Sequence, residues 1–283
     1  MSWLRNPWAK ARFLWAIAIA YMLWTLLPVV IAVLFSFNGG RSLTAWQGFS
    51  TQWYAGNVGS VFDDPDLRSA LGQSFKLAGL TVLFAVPLGV GFALALDRWH
   101  GRGSGTGNFV MLFSFITPEI AIGVALFLFF TQLATGIGTG FLAQVLALSM
   151  FMMAYPVIVV RARLLSIGKE FEEAAMDLGA SPVGAIGRVL LPLLSPAILA
   201  SVAIVFAAAI DNFVISQQLS SGAGTQTIPI LIYSAARRGP LPSVNALASI
   251  TLFASTFVIA IAVLFYRRRT AGERGDHLAA LRL

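Results

Sequence analysis

The chain has 283 residues, 58% hydrophobic and 11% charged, with a formal net charge of +7. A soluble domain carries about a quarter charged residues, so this composition excludes an ordinary soluble globule and points to a lipid environment. The chain has no cysteine, which excludes disulfides and thiolate metal sites. Its two histidines, His100 and His277, stand far apart in charged loops and make no metal cluster.

A bilayer-spanning helix needs about 20 apolar residues, and the stretches 13–37, 77–96, 109–133, 141–160, 196–215 and 244–266 satisfy this. The first is too long for a signal-peptide core and no small-residue cleavage site follows it, so it reads as a retained anchor. Residues 70–76 read as the first turns of the second helix, with Lys76 placed to snorkel to the interface. Between these spans, the outer segment 38–69 interleaves Trp46, Phe49, Trp53 and Tyr54 with Gly, Ser and Asn. Two readings fit it: an interfacial aromatic belt, or an amphipathic segment on the outer surface that docks a partner or lines a mouth. Asp63, Asp64 and Asp66 around Pro65 read as a solvated acidic turn.

The glycine-rich stretch 97–108, DRWHGRGSGTGN, follows a membrane helix and has neither GxxxxGK[ST] nor GxGxxG spacing. It is a flexible basic turn, so no nucleotide site belongs to this chain. In the third span Pro118 and Glu119 fall about 16 Å from the cytoplasmic end at 1.5 Å per residue, near the midplane. Pro118 predicts a kink there. Asp211 and Asn212 fall toward the outer end of the fifth span. An ionisable group inside a membrane helix costs about 2.5–3.5 kcal/mol on insertion scales, so it faces a bundle interior or an aqueous path. Translocation path and structural tie between helices are both open for Glu119, and for Asp211 a simple interfacial position as well. Farther on, the sequence IPILIY at 228–233 reads as a short surface helix.

Fourteen of the basic residues fall in segments on the N-terminal side of the membrane, against four, Arg41, Arg68, Arg237 and Arg238, on the other. The positive-inside rule places both termini in the cytoplasm. The positive charge is then mostly a topology signal, and nucleic acid is not an expected partner. The predicted domains are a cytoplasmic N-terminus 1–12, a single transmembrane domain 13–266 with a cytoplasmic loop 161–192, and a basic tail 267–283.

That cytoplasmic loop carries a charged helix-turn-helix pattern, EFEEAAMDLGASPVGAIGRVLLP at 170–192. Ser166 is expected to cap a first helix through Glu170–Leu178 whose glutamates sit near its positive end. Gly179 suits a left-handed stop. Ser181 is expected to cap a second short helix with Pro182 at its first position. Two short helices with an acidic tip make a rigid knob suited to a socket on another protein.

Glu173-Ala174-Ala175, Gly179, Val189, Leu191 and Pro192 match EAA-x3-G-x9-I-x-LP at every spacing, with valine for isoleucine. On these residues the chain resembles the EAA-motif permeases of type I ABC importers. The stretches SFNGGRSLTAWQGFSTQWY, TPEIAIGVALF and DNFVISQQLSSGAGTQTIPILIYSAARRGPLPSVNALASI extend the likeness to the second permease subunit of spermidine/putrescine importers. Such permeases commonly show two adjacent acids where this chain has Asp211-Asn212, which leaves room for a related cargo.

The resemblance implies an all-α fold with six transmembrane helices in the bacterial inner membrane. It implies a PotB-like second permease, a PotA-like ATPase dimer that binds the ATP, and an extracytoplasmic PotD-like substrate-binding protein. It implies that Glu172, Glu173, Ala174, Ala175, Gly179, Leu191 and Pro192 couple to the ATPase. Trp46, Glu119, Asp211 and Asn212 are the expected path residues, and no cofactor or catalytic residue is expected in the chain itself. Aminoalkyl-phosphonate, Fe(III) and other organic cations are the alternative cargoes. An ATP-independent channel and a membrane hydrolase are the rival classes, and the latter lacks any Ser/His or paired-acid constellation.

Overall fold

The structure, a computed structural model, describes residues 12–98, 101, 104–238 and 242–280. His100, and Arg5, Lys10, Arg102 and Arg282 among the basic residues counted on the cytoplasmic side, lie outside the described residues. The helices are α1 (Arg12–Phe35), α2 (Pro65–Arg98), α3 (Ser104–Ile116), α4 (Glu119–Leu128), α5 (Phe141–Met152), α6 (Ala154–Ile167), α7 (Glu170–Asp177), α8 (Pro182–Ala185), α9 (Leu191–Ile210), α10 (Val214–Gln218), α11 (Ile228–Arg238) and α12 (Pro242–Ala280). A π-helical turn, Phe129–Leu133, continues α4, and another, Ile186–Leu190, joins α8 to α9.

Among the described residues, five continuous helical stretches are long and apolar enough to cross a membrane: Leu14–Phe35, Pro65–Arg98, Phe141–Ile167, Pro182–Ile210 and Pro242–Leu264. The third expected span is present in two pieces, because α3 stops at Ile116 and α4 starts at Glu119. Pro118, at ψ 130°, occupies the break. Proline removes an N–H and clashes with the preceding turn, and here it interrupts the helix outright where a kink was expected. The fifth span also differs in extent from the expected 196–215. It begins at Pro182 and ends at Ile210, which leaves Asp211 and Asn212 past its end.

The chain divides into two compact units, Met1–Pro65 with Ala235–Ile250, and Asp66–Ser234 with Thr251–Leu283. In the first unit α1 exposes apolar side chains along its length, among them Trp15, Leu23 and Trp24, as a lipid-facing or partner-facing helix does. After α1 the segment 36–64 folds on itself through turns. Asn38 pairs in an isolated antiparallel bridge with Phe49. Its side-chain amide donates to the carbonyls of Ser42 (2.8 Å) and Ala45 (3.0 Å), and its oxygen accepts from the Gln47 N–H at 2.7 Å.

Trp53 is only 6% exposed and donates its indole N–H to the Asn38 carbonyl at 2.6 Å. It is the internal anchor of this loop, so neither the interfacial belt nor the surface segment describes it; Trp46 and Phe49 do stay exposed. Asp63 also departs from expectation. Its carboxylate is not simply solvated, since it accepts from the Gly56 N–H at 2.6 Å and the Ser60 hydroxyl at 2.7 Å.

The second unit holds the main core, built from Leu77, Val86, Val90 and Leu96 of α2, Leu148 of α5, Val157, Val160 and Leu164 of α6, and Leu194 and Val205 of α9. These apolar faces meet at close range because small residues stand where backbones approach. A Cβ on Gly89 would lie 2.4 Å from Pro156 Cγ and 2.6 Å from the Met153 carbonyl, so only glycine fits between α2 and α6. Membrane helices associate through such packing, since lipid gives them no hydrophobic drive to pair. The IPILIY helix is α11, but Ile228, Ile230 and Leu231 are buried, so it is embedded instead of lying on the surface.

Candidate functional site

Two places in the second unit bring sequence-selected residues together. The first is the break between α3 and α4. Glu119 is the first residue of α4, and its carboxylate accepts a hydrogen bond from the side-chain amide of Asn212. Asn212 lies in the short turn between α9 and α10, 6% exposed. Its oxygen accepts from the Ser216 N–H (3.3 Å) and hydroxyl (3.4 Å). Two interrupted helices are thus joined at their ends by one amide. Broken helices at membrane depth occur where backbone lines a cavity or is buried in protein. Glu119 lines a cavity of about 340 Å³ with Ile116, Thr117, Pro118, Phe151, Ala154 and Tyr155.

Asp211 closes α9 and is exposed beside this site. Trp46 belongs to the other unit, where its ring meets Phe35 edge-on at 6.3 Å. Asn212, noted in the sequence mainly for the acid it replaces, is the residue that holds Glu119 in place.

Sequence reasoning passed over Gln144, which supports this region from behind. Gln144 is fully buried in α5 and donates to the carbonyls of Ser216 (2.9 Å) and Thr225 (3.1 Å). A lone amide inside the apolar run FLAQVLAL was the signal available for it, since a polar group in a span needs a partner.

The second place is the cytoplasmic knob. Gly168 (φ 76°) ends α6 and Gly179 (φ 90°) follows α7. The Gly179 N–H donates to the Met176 carbonyl (2.9 Å) and the Ala180 N–H to that of Ala175 (3.0 Å), closing the end of α7. Ser181 Oγ accepts from the Gly184 N–H at 3.1 Å and Pro182 opens α8, both as the sequence predicts. Two expectations need correction. Ser166 does not cap α7; it lies inside α6 and donates its hydroxyl to the Arg163 carbonyl, while Lys169 occupies the cap position without a side-chain bond. Nor is the second helix short, because α8 runs on through the π turn into α9 as one 29-residue stretch.

On the knob Glu173, Ala174, Phe171, Met176, Leu178 and Val183 are exposed, Leu178 at 91%. Ala175 is half-buried, Leu191 is half-buried at the start of α9, and Pro192 beside it is exposed. Glu172 turns inward, 8% exposed, and its carboxylate meets the Arg98 guanidinium at 2.5 Å. No local pattern announces that pair, as 74 residues separate its members.

Residues 85–271 match the family described as "Binding-protein-dependent transport system inner membrane component", and the chain belongs to this family of multi-pass inner-membrane permeases. It is similar to the putrescine transport system permease protein PotI of Escherichia coli (strain K12), 36% identical over 255 residues that cover 88% of this chain and 87% of the relative. It is also similar to the spermidine/putrescine transport system permease protein PotC of the same strain, 32% identical over 250 residues, covering 88% and 92%.

Among solved structures, a chain of a bacterial ABC transporter that imports the acidic polysaccharide alginate matches with TM-score 0.70 and 17% identity, covering 92% of this chain and 96% of that one. A chain of the MetNI methionine ABC transporter in an inward-facing conformation matches with TM-score 0.58 and 17% identity, covering 71% and 93%. These likenesses show the fold, that of ABC importer permeases, with the third of its six spans broken here at Pro118.

Proposed function

We propose that this chain is a permease subunit that carries a polyamine, putrescine or spermidine, inward across the membrane. The observation that carries this reading is the Glu119 carboxylate, lining a cavity at a break between helix segments. A cation entering such a site exchanges part of its hydration for a fixed negative charge, and Asp211, the neighbour of the Asn212 that bonds Glu119, adds a second carboxylate. The names of PotI and PotC, as permeases of putrescine and spermidine/putrescine transport systems, agree with cationic cargo.

The chain itself carries out no covalent chemistry in this reading. A separate ATPase pair receives the exposed face of α7, with Glu173 at the contact, and a second permease completes the pathway. A binding protein delivers cargo from outside. The excess of Lys and Arg in the segments assigned to the cytoplasm supports an orientation with both termini inside. Closure of the ATPase pair draws the knobs together and rocks the helices as rigid bodies, one of the known forms of alternating access.

The test uses cells that lack other polyamine importers and express the full set of partners. Labelled putrescine accumulates with the parent chain. With Glu173→Lys, accumulation stops and the ATPase no longer co-purifies, while the permease still inserts. Wild-type accumulation with normal ATPase recovery in that variant contradicts the coupling assignment.

A further inference from the structure

We propose that Arg98 is the positioning residue of the coupling knob: its ion pair with Glu172 sets the rotation of α7 and ties it to the end of α2. The inference rests on the coupling role proposed for the exposed face of α7. It reassigns Glu172, grouped by the motif with the ATPase contact, to a bond within the permease.

Three features of α7 leave its orientation under-determined by its own backbone. It has 8 residues, well below the about 12–15 that an isolated helix needs to be even marginal in water. Its N-terminal cap, Lys169, makes no side-chain bond to the first turn. Glycines at positive φ flank it, Gly168 at 76° and Gly179 at 90°. Packing on α8 and the following π turn supports one side. Among the described residues of α7 the buried side chain is Glu172, and it supplies a further anchor through Arg98.

Successive residues of a helix point about 100° apart. With Glu172 turned inward, Glu173 and Ala174 are exposed together. A buried carboxylate is tolerated only when paired, and a charge-assisted bond from a guanidinium is the strong form of such a pair. The Arg98 side chain is 27% exposed and that of Glu172 11%, so the pair is partly sheltered from solvent. Asp97 also approaches Arg98, at 3.2 Å. Arg98 is the last residue of α2, where a cation is favoured by the helix dipole, and Val90, Ala93 and Leu96 just before it are buried. A push on α7 therefore reaches α2 directly as well as through the chain into α6.

The test uses the complete transporter in inside-out vesicles and does not depend on which cargo is carried. Because the chain has no cysteine, Met176→Cys puts a single thiol on the exposed side of α7, and labelling by a membrane-impermeant maleimide is followed on this subunit with and without the ATPase. The ATPase is expected to protect the thiol in the parent background. Adding Arg98→Gln is expected to abolish that protection, and Arg98→Glu with Glu172→Arg to restore it, which a merely unstable variant would not do. Unchanged protection with Arg98→Gln overturns the positioning role while leaving the coupling reading intact. Loss of protection with Arg98→Gln that the charge swap fails to restore also overturns it, because the effect then does not run through the pair. Absence of protection in the parent background overturns the coupling reading, and the proposal with it.

Discussion

Asn212 donates its side-chain amide to the Glu119 carboxylate across 93 residues of sequence. The bond joins the start of α4 to the turn after α9, so the two broken helices are locked at the point where the cavity opens. An amide in this position satisfies the carboxylate without neutralising it. A charge is thereby held at a fixed place while remaining available to a cation.

Charge and tether can be separated at Glu119. Glutamine retains an acceptor for Asn212 but removes the charge. A charge pair at 4 Å is worth about 4 kcal/mol at an effective dielectric near 20, so Glu119→Gln should cut polyamine uptake at least about tenfold with little change in thermal stability. Asp211→Asn should also slow uptake strongly, since Asp211 is exposed at the end of α9. Basal ATP hydrolysis by the assembled complex should survive in both. Unchanged uptake in both variants would make these carboxylates structural ties.

Gln144 supports the same region through two backbone carbonyls. Gln144→Leu leaves the carbonyls of Ser216 and Thr225 without this donor inside a buried site. Each lost partner of that kind costs about 1–3 kcal/mol, although the wild-type side chain has an unsatisfied Oε1 of its own that offsets part of the loss. Detergent-solubilised protein should unfold at lower temperature, and uptake should fall with it. A variant as stable as the parent would show that Gln144 holds nothing.

Gly179 tests the turn at the end of the knob. Nothing lies within 4 Å of a Cβ built there, so the constraint is the backbone alone, at φ 90°. A β-branched residue at such an angle is an outlier and costs about 1–3 kcal/mol. Gly179→Val should therefore depress uptake and ATPase recovery more than Ala180→Val does. Equal effects would contradict the turn.

Gly89 tests a close approach of a different kind. Here the added Cβ meets Pro156 and the Met153 carbonyl, so Gly89→Ala overpacks the α2–α6 contact. Overpacking costs about 1–3 kcal/mol, and the expected readout is a lower unfolding temperature. An unchanged temperature would mean that the helices can separate freely.

The features legible in the sequence are those encoded locally. The six apolar runs, the Ser181-Pro182 helix start and the left-handed Gly179 each follow from neighbours within a few residues. Ser166 misled because a serine hydroxyl can bond a carbonyl of its own helix as readily as cap the next one, and α6 runs far enough to claim it. The helix that starts at Pro182 exceeds its expected length because a π turn over Ile186–Leu190 carries it on into α9. Trp53 and Asp63 were misjudged, and Gln144 and the Arg98–Glu172 pair missed, because their partners come from tertiary folding. Nothing adjacent to Glu172 distinguishes it from Glu173, and only the arrival of Arg98 from the end of α2 does so.

The most direct test of the account is transport itself. Proteoliposomes would contain this chain with its partner permease and ATPase, with binding protein outside and ATP inside. The account predicts that labelled putrescine or spermidine accumulates against its gradient, and that accumulation stops when ATP is withheld. Equilibration of polyamine without ATP, or no polyamine uptake with polyamine-loaded binding protein and an active ATPase, would contradict it.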